Sequence, residues 1–194
     1  MLHNVFNPCD VATHEAEFVV LDCGTGNGDA QVIRADIASG SSIQAVAGLA
    51  QPRSVDLDQD GNILVAEAGI GDGNSTLVTI ARDGTRTDTA VPGFDALGVA
   101  AAADGTPVLA GAAGNTPQVI RLAADGTRTV VPVAGLVYST GVAVDPSDAI
   151  TVSYLEGSST TSASHVVRLV PNPAPEPEPV PQPAPGFGSS GSSG

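Results

Sequence analysis

The 194-residue chain contains no lysine and no tryptophan. Its seven cationic side chains are all arginine, set against 21 acidic residues, and the formal net charge is -14. A surface this acidic repels nucleic-acid phosphates and anionic lipid, which argues against both as partners. Aromatic residues are scarce, at four Phe and two Tyr, so any core must be built from Val, Ile, Leu and Ala. No apolar run approaches about 18 residues, so no helical membrane span is expected. The opening "MLHNVFNPCD" has neither a basic segment nor an apolar one, so no signal peptide is visible. The protein is then either cytoplasmic or a chain whose true beginning is missing. His3, His14 and His165 are scattered, and no G-x-S-x-G is present, so nucleophilic catalysis finds no support.

What is present is a repeat of about 44 residues. "QPRSVDLDQDGNILVAEAG" from Gln51, "DALGVAAAADGTPVLAGAAG" from Asp95 and "YSTGVAVDPSDAITVSYLEG" from Tyr138 are three copies. "NPCDVATHEAEFVVLDCG" (7–24) is a more divergent first copy. At a step of 44 it aligns Pro8 with Pro52, and Val19, Val20 and Leu21 with Ile63, Leu64 and Val65. "SVDLD" alternates with period two, and "NILVA" and "LVTIA" are short runs rich in β-branched residues, so the copies read as strands. Asp-Gly pairs between such runs predict tight hairpins. The second copy reads as strands near 53–58, 62–67, 76–81 and 85–91. Four antiparallel strands per repeat predict an all-β fold of β-propeller blades, over about 8–50, 51–93, 94–136 and 137–170. A solenoid of parallel strands is the alternative. After "HVVRLV" (165–170) the chain enters a Pro/Glu-rich stretch, so the fourth blade should lack its last strand. An incomplete arc of a larger propeller is expected, with open edges that favour self-association. Residues 171–194 read as a Pro/Glu-rich linker and a Gly/Ser tail.

"QPRSVDLDQDGNILVAEAG" and "STGVAVDPSDAITVS" resemble the NHL-type propeller repeat, and are most similar to secreted bacterial ScyD-like propellers. The resemblance covers residues 8–170. It implies a propeller fold and is nearly silent on activity.

"DLDQDGNILVAE" (56–67) fits the calcium-loop pattern D-x-D-x-D-G-x5-E, with Asp56, Asp58, Asp60, Gly61 and Glu67 in place. An EF-hand needs flanking helices, whereas residues 62–67 read as a strand that carries Glu67 about 20 Å from the turn. Two readings remain: a structural hairpin corner, which is preferred, or a weak calcium site on Asp56, Asp58 and Asp60. No other cofactor is expected. If this hairpin centres near residue 60, Arg53 faces Glu67, and a step of 44 turns that pair into Cys9 and Cys23. Opposed strand positions lie within disulfide reach. The same cross-strand slot is thus expected to hold an ion pair in one blade and a disulfide in the other, with Leu97/Gly111 and Thr140/Tyr154 in the rest. A disulfide implies an oxidising compartment, hence a secreted or periplasmic protein. Arg53, Glu67 and Tyr154 are candidate binding residues at the mouth of the ring. "GTGNG" (24–28), "GIGDGN" (69–74) and "GSSTTSAS" (157–164) read as rim loops.

Two functions fit. One is a non-catalytic extracytoplasmic binding or scaffold module, with a protein or small-molecule ligand. The other is a metal-dependent, lactonase-like hydrolase with its site in the propeller channel, which would need blades absent from this chain.

Overall fold

A computed structural model of the chain describes residues 5–26, 28–69, 73–133, 135–158 and 161–169. The predicted linker and tail, 171–194, lie outside the described residues, as do His3 and the centre of the "GIGDGN" stretch. Among the described residues all of the regular structure is strand. Blade 1 comprises β1 (Pro8–His14), β2 (Glu17–Asp22), β3 (Ala30–Asp36) and β4 (Ser42–Leu49). Blade 2 comprises β5 (Pro52–Leu57), β6 (Ile63–Glu67), β7 (Ser75–Ile80) and β8 (Arg86–Val91). Blade 3 comprises β9 (Asp95–Ala101), β10 (Pro107–Ala113), β11 (Thr116–Leu122) and β12 (Arg128–Val131). Blade 4 comprises β13 (Ser139–Val144), β14 (Ile150–Ser158) and β15 (Thr161–Leu169). Each sheet is an antiparallel meander in sequence order, and the fourth has three strands among the described residues. Four such sheets make a four-bladed β-propeller. The "GSSTTSAS" segment, expected to be a loop, is largely paired strand: β14 and β15 run together to Ser158 opposite Thr161. β-branched Thr and small Ser suit a two-stranded ladder as well as a loop, so composition did not separate the two.

The blades stack through three apolar seams. Val19, Leu21 and Val32 of blade 1 meet Val55, Ile63, Val65 and Ile80 of blade 2. Leu64, Ala66 and Leu77, on the opposite face of blade 2, meet Phe94, Leu109 and Ile120 of blade 3. Val108, Ala110 and Val119 then meet Ile150 and Val152 of blade 4. Strand alternation produces this division: neighbours such as Leu64 and Val65 point into different seams, which is why β6 is buried at every position. Burying each aliphatic side chain contributes about 1.5–3 kcal/mol. Among the described residues no apolar cluster joins blade 4 to blade 1.

The Asp-Gly corners are hairpin turns, as expected. Gly61 (φ 74°) and Gly105 (φ 81°) occupy the left-handed region, and Asp148 takes the same place in blade 4 at φ 65°. The N–H groups of Gly61, Gly105 and Asp148 donate to the carbonyls of Asp58, Ala102 and Asp145, so the three turns are equivalent.

The alignment of blade 1 requires a correction. Its first hairpin closes tightly at His14–Glu17, whereas blade 2 closes at Leu57–Ile63. The repeat step is therefore 44 on the innermost strand and 45 on the next two. Val19 corresponds to Leu64, Asp22 to Glu67 and Cys23 to Ala68. Hydrogen bonds mark the same equivalence: Cys23 N–H donates to Asn7 C=O, and Ala68 N–H to Gln51 C=O.

Candidate functional site: the channel and its mouth

Every innermost strand carries a β-bulge at the same place. The ladder slips between Pro8 and Asp10, Pro52 and Ser54, and Ser139 and Gly141, and in blade 3 between Ala96 and Gly98 opposite Gly111 and Ala110. The extra residues are Cys9, Arg53, Leu97 and Thr140. A bulge re-aims the side chain it frees. All four line one cavity of about 480 Å3, enclosed by β1, β5, β9 and β13. This cavity is the propeller's central channel, and the four bulged side chains form a ring at its mouth.

Arg53, exposed to solvent, thus lines the channel. Its expected partner does not. The bulge places Glu67 opposite Pro52, and Glu67 is buried, with its Oε1 accepting the Ala50 N–H at 2.6 Å. The Arg53–Glu67 ion pair is therefore replaced by a buried carboxylate that satisfies a backbone donor. Tyr154, opposite Ser139 for the same reason, stacks on His165 with ring centroids 5.3 Å apart and is not among the channel-lining residues. The disulfide does form. Cys9 in the bulge and Cys23 just past β2 are joined with their Cα atoms 5.9 Å apart.

Two carboxylates line the channel, and both brace neighbouring blades. Asp10 Oδ2 accepts the Val55 N–H across the seam at 2.8 Å. Ser54, at the equivalent place in blade 2, accepts the Val99 N–H at 3.3 Å. Blade 3 has Gly98 there, and an added Cβ would sit 3.1 Å from Gly141 Cα and Val142 N, so a side chain at that place would press on the blade 4 backbone. Asp56 Oδ2 accepts the Ala101 N–H at 2.8 Å, and its Oδ1 accepts the Leu57 N–H. Burial pushes the Asp56 carboxyl above its ordinary range. The Ala101 and Leu57 N–H groups oppose that rise, and the charges of Asp10 and Asp58 add to it.

Asp58 is occupied by its own turn. Oδ1 accepts from Asp60 N and Asn62 N, and Oδ2 accepts from the Asn62 amide at 2.8 Å. Asp60 is exposed at the tip. The three aspartates are therefore divided between channel, turn and solvent, and among the described residues no group of three His, Cys, Asp or Glu side chains could hold a metal ion.

Sequence reasoning missed Asp22, which is fully buried beneath the mouth of blade 1. It accepts the N–H groups of Phe6, Asn7 and Gly24 and the Gln31 amide. Burial raises its pKa, but those donors outweigh burial and hold the carboxyl below its ordinary value. Asp22 and Glu67 serve equivalent donors, Phe6 N and Ala50 N. The one-residue difference in hairpin length concealed that match.

The geometry invites comparison with solved structures. It is similar to TolB from Acinetobacter baumannii (14% identity, TM-score 0.61, 83% of this chain and 40% of that one). It is also similar to a chain of the nidogen/laminin complex (16% identity, TM-score 0.63, 87% and 65%). A third similar structure is assigned as a gluconolactonase (18% identity, TM-score 0.56, 80% and 57%). The fold is that of a β-propeller. At these identities the likeness concerns the fold alone. The chain spans less than two thirds of the length of each of these three. No protein-family model matches the sequence. No curated protein matches it either. No helix of the described residues is long and apolar enough to cross a membrane.

Proposed function

We propose that this chain is a non-catalytic β-propeller binding module of the NHL type that works outside the cytoplasm. The observation that carries the reading is the use made of the channel carboxylates. Asp10 and Asp56 each accept a backbone N–H of the next blade, so the acids best placed for chemistry serve as braces. The mouth ring mixes a cystine sulfur, a guanidinium, a leucine and a threonine, a set suited to gripping a ligand rather than moving protons. The cystine supports an oxidising compartment, and a fold shared with TolB accords with it.

The alternative is a metal-dependent, lactonase-like hydrolase, which the fold shared with a protein assigned as a gluconolactonase favours. The channel residues present do not fit a resident metal, because two tethered carboxylates do not make a cage. The separating test is hydrolysis of glucono-1,5-lactone by the purified chain with Ca2+, Mn2+ or Zn2+. The expected rate equals the metal-only background. A metal-dependent rate lost in Asp56→Asn would overturn the binding reading. Alkylation without reductant should leave Cys9 and Cys23 unmodified in protein taken from its native compartment.

A further inference from the structure

On its third strand each of blades 1 to 3 carries one residue that points toward the next blade near the latter's Asp-Gly corner. By register these residues are Arg34, Thr79 and Arg121, opposite Val19, Leu64 and Val108 respectively; Arg168 holds the same place in blade 4 and pairs with Asp145 of its own blade. Arg34 crosses the first seam and donates to the Gly61 carbonyl at 2.6 Å. Arg121 crosses the third seam and donates to Asp148, the equivalent turn residue, at 2.7 Å. In the second seam the arginine is Thr79, which is far too short for that reach. Arg82, whose guanidinium covers Gly61 and pairs with Glu17 at 2.7 Å, is replaced at the equivalent place by Ala124.

Two guanidinium groups are thus missing from the second groove, and a hole stands there. The groove between blades 1 and 2 leaves a cavity of about 210 Å3, whereas the groove between blades 2 and 3 leaves about 430 Å3. The larger cavity is lined by Thr79, Ala124 and Gly105, the counterparts of Arg34, Arg82 and Gly61. Its floor is Leu64, Leu77 and Leu122, all buried, and the carboxylates of Asp58 and Asp104 border it. The acids of the neighbouring clamps, Glu17 and Asp148, are replaced here by Asn62 and Gly105, so the carboxylates left beside the cavity are Asp104 and the turn-bound Asp58, over an apolar floor suited to an aliphatic stem.

We propose that this inter-blade cavity binds an alkylguanidinium, an arginine side chain or free arginine supplied by another molecule, placed as Arg34 is placed in the neighbouring seam. Charge complementarity agrees with this assignment. Five of the chain's seven arginines, at 34, 82, 86, 121 and 168, are already engaged within the chain, and it has no lysine. The planar fork of a guanidinium suits a turn carbonyl beside a carboxylate better than a compact ammonium does. The assignment is independent of the channel, so its failure leaves the reading of the mouth intact.

The test titrates N-acetyl-arginine amide, free L-arginine and the neutral isostere N-acetyl-citrulline amide into the full chain. Methyl resonances of Leu64, Leu77 and Leu122 report occupancy. The arginine amide should shift these methyls saturably below about 10 mM, with citrulline at least tenfold weaker. Thr79→Arg, which supplies the missing clamp from within, should weaken binding at least tenfold while the chain stays folded. Ala124→Arg provides the same test should Thr79→Arg not fold. Equal affinity for the two arginine forms identifies a free amino acid as ligand, and preference for the amide identifies a protein-borne side chain. Absence of a saturable shift, equal binding of citrulline, or full binding by a folded filled variant overturns the proposal.

Discussion

Blades 1 and 2 solve one problem with different residues. Each must enter its innermost strand from a loop that directs an N–H group at the end of its second strand. Blade 1 satisfies Phe6, Asn7 and Gly24 from a single carboxylate, Asp22, and fastens the bulge above with the Cys9–Cys23 bond. Blade 2 satisfies Ala50 from Glu67 and leaves the bulged Arg53 loose. The backbone fixes where a donor needs an acceptor. Which residue answers, and whether a covalent bond is added, is decided blade by blade. Blades 3 and 4 have Gly111 and Tyr154 at that place, so an acid there is one solution and not a requirement of the fold.

This contrast can be tested, beginning with the cystine. Replacing Cys9 and Cys23 by serine should lower the unfolding free energy in urea by about 3 kcal/mol, the value expected for a loop of this size. No change would mean that the bond is incidental to blade 1.

Asp22→Asn comes next, because an amide presents donors to donors. We expect a loss of about 2–3 kcal/mol, against about 1–2 kcal/mol for Glu67→Gln, by chemical denaturation. The folded carboxyl of Asp22 lies below its unfolded value, so its contribution is complete above about pH 4 and is lost as pH falls through the folded value. The gap between wild type and Asp22→Asn should close over that acid range. A gap independent of pH would show that the carboxylate's charge is immaterial.

Asp58→Ala should cost about 1 kcal/mol through loss of its turn bonds. Millimolar calcium should leave the melting midpoint of both proteins unchanged. A calcium-dependent rise abolished by Asp58→Ala would establish the acidic corner as a metal site instead.

Arg53→Ala should move stability by less than about 0.5 kcal/mol, since its side chain is exposed and makes no bond to Glu67. A loss near that of Glu67→Gln would restore the ion pair expected from sequence.

The strands of blade 2 were legible to within a residue, because β-branched runs and Asp-Gly corners are local signals. The four-blade organisation followed from their repetition. Three strands of blade 4 fall among the described residues, and the proline-rich stretch expected to follow them lies outside those residues. The disulfide was reached by a register that holds only approximately: Cys9 sits in a bulge and Cys23 lies beyond the strand, yet their Cα atoms still come within bonding range. The same register failed for Arg53 and Glu67, because a bulge leaves no mark in a sequence without glycine at the kink. Asp22 was hidden by a tighter hairpin in blade 1. The arginine positions at 34, 121 and 168 repeat visibly, but that Thr79 leaves a hole can be seen only when the facing turn is in place.

The bulge recurring on every innermost strand separates two kinds of position. Side chains packed between sheets are constrained on all sides, whereas Cys9, Arg53, Leu97 and Thr140 each project from a backbone irregularity that holds them clear of the packing. Four codons can therefore rewrite the entrance of this propeller while its walls keep their composition, and divergence among relatives should be greatest at those four places.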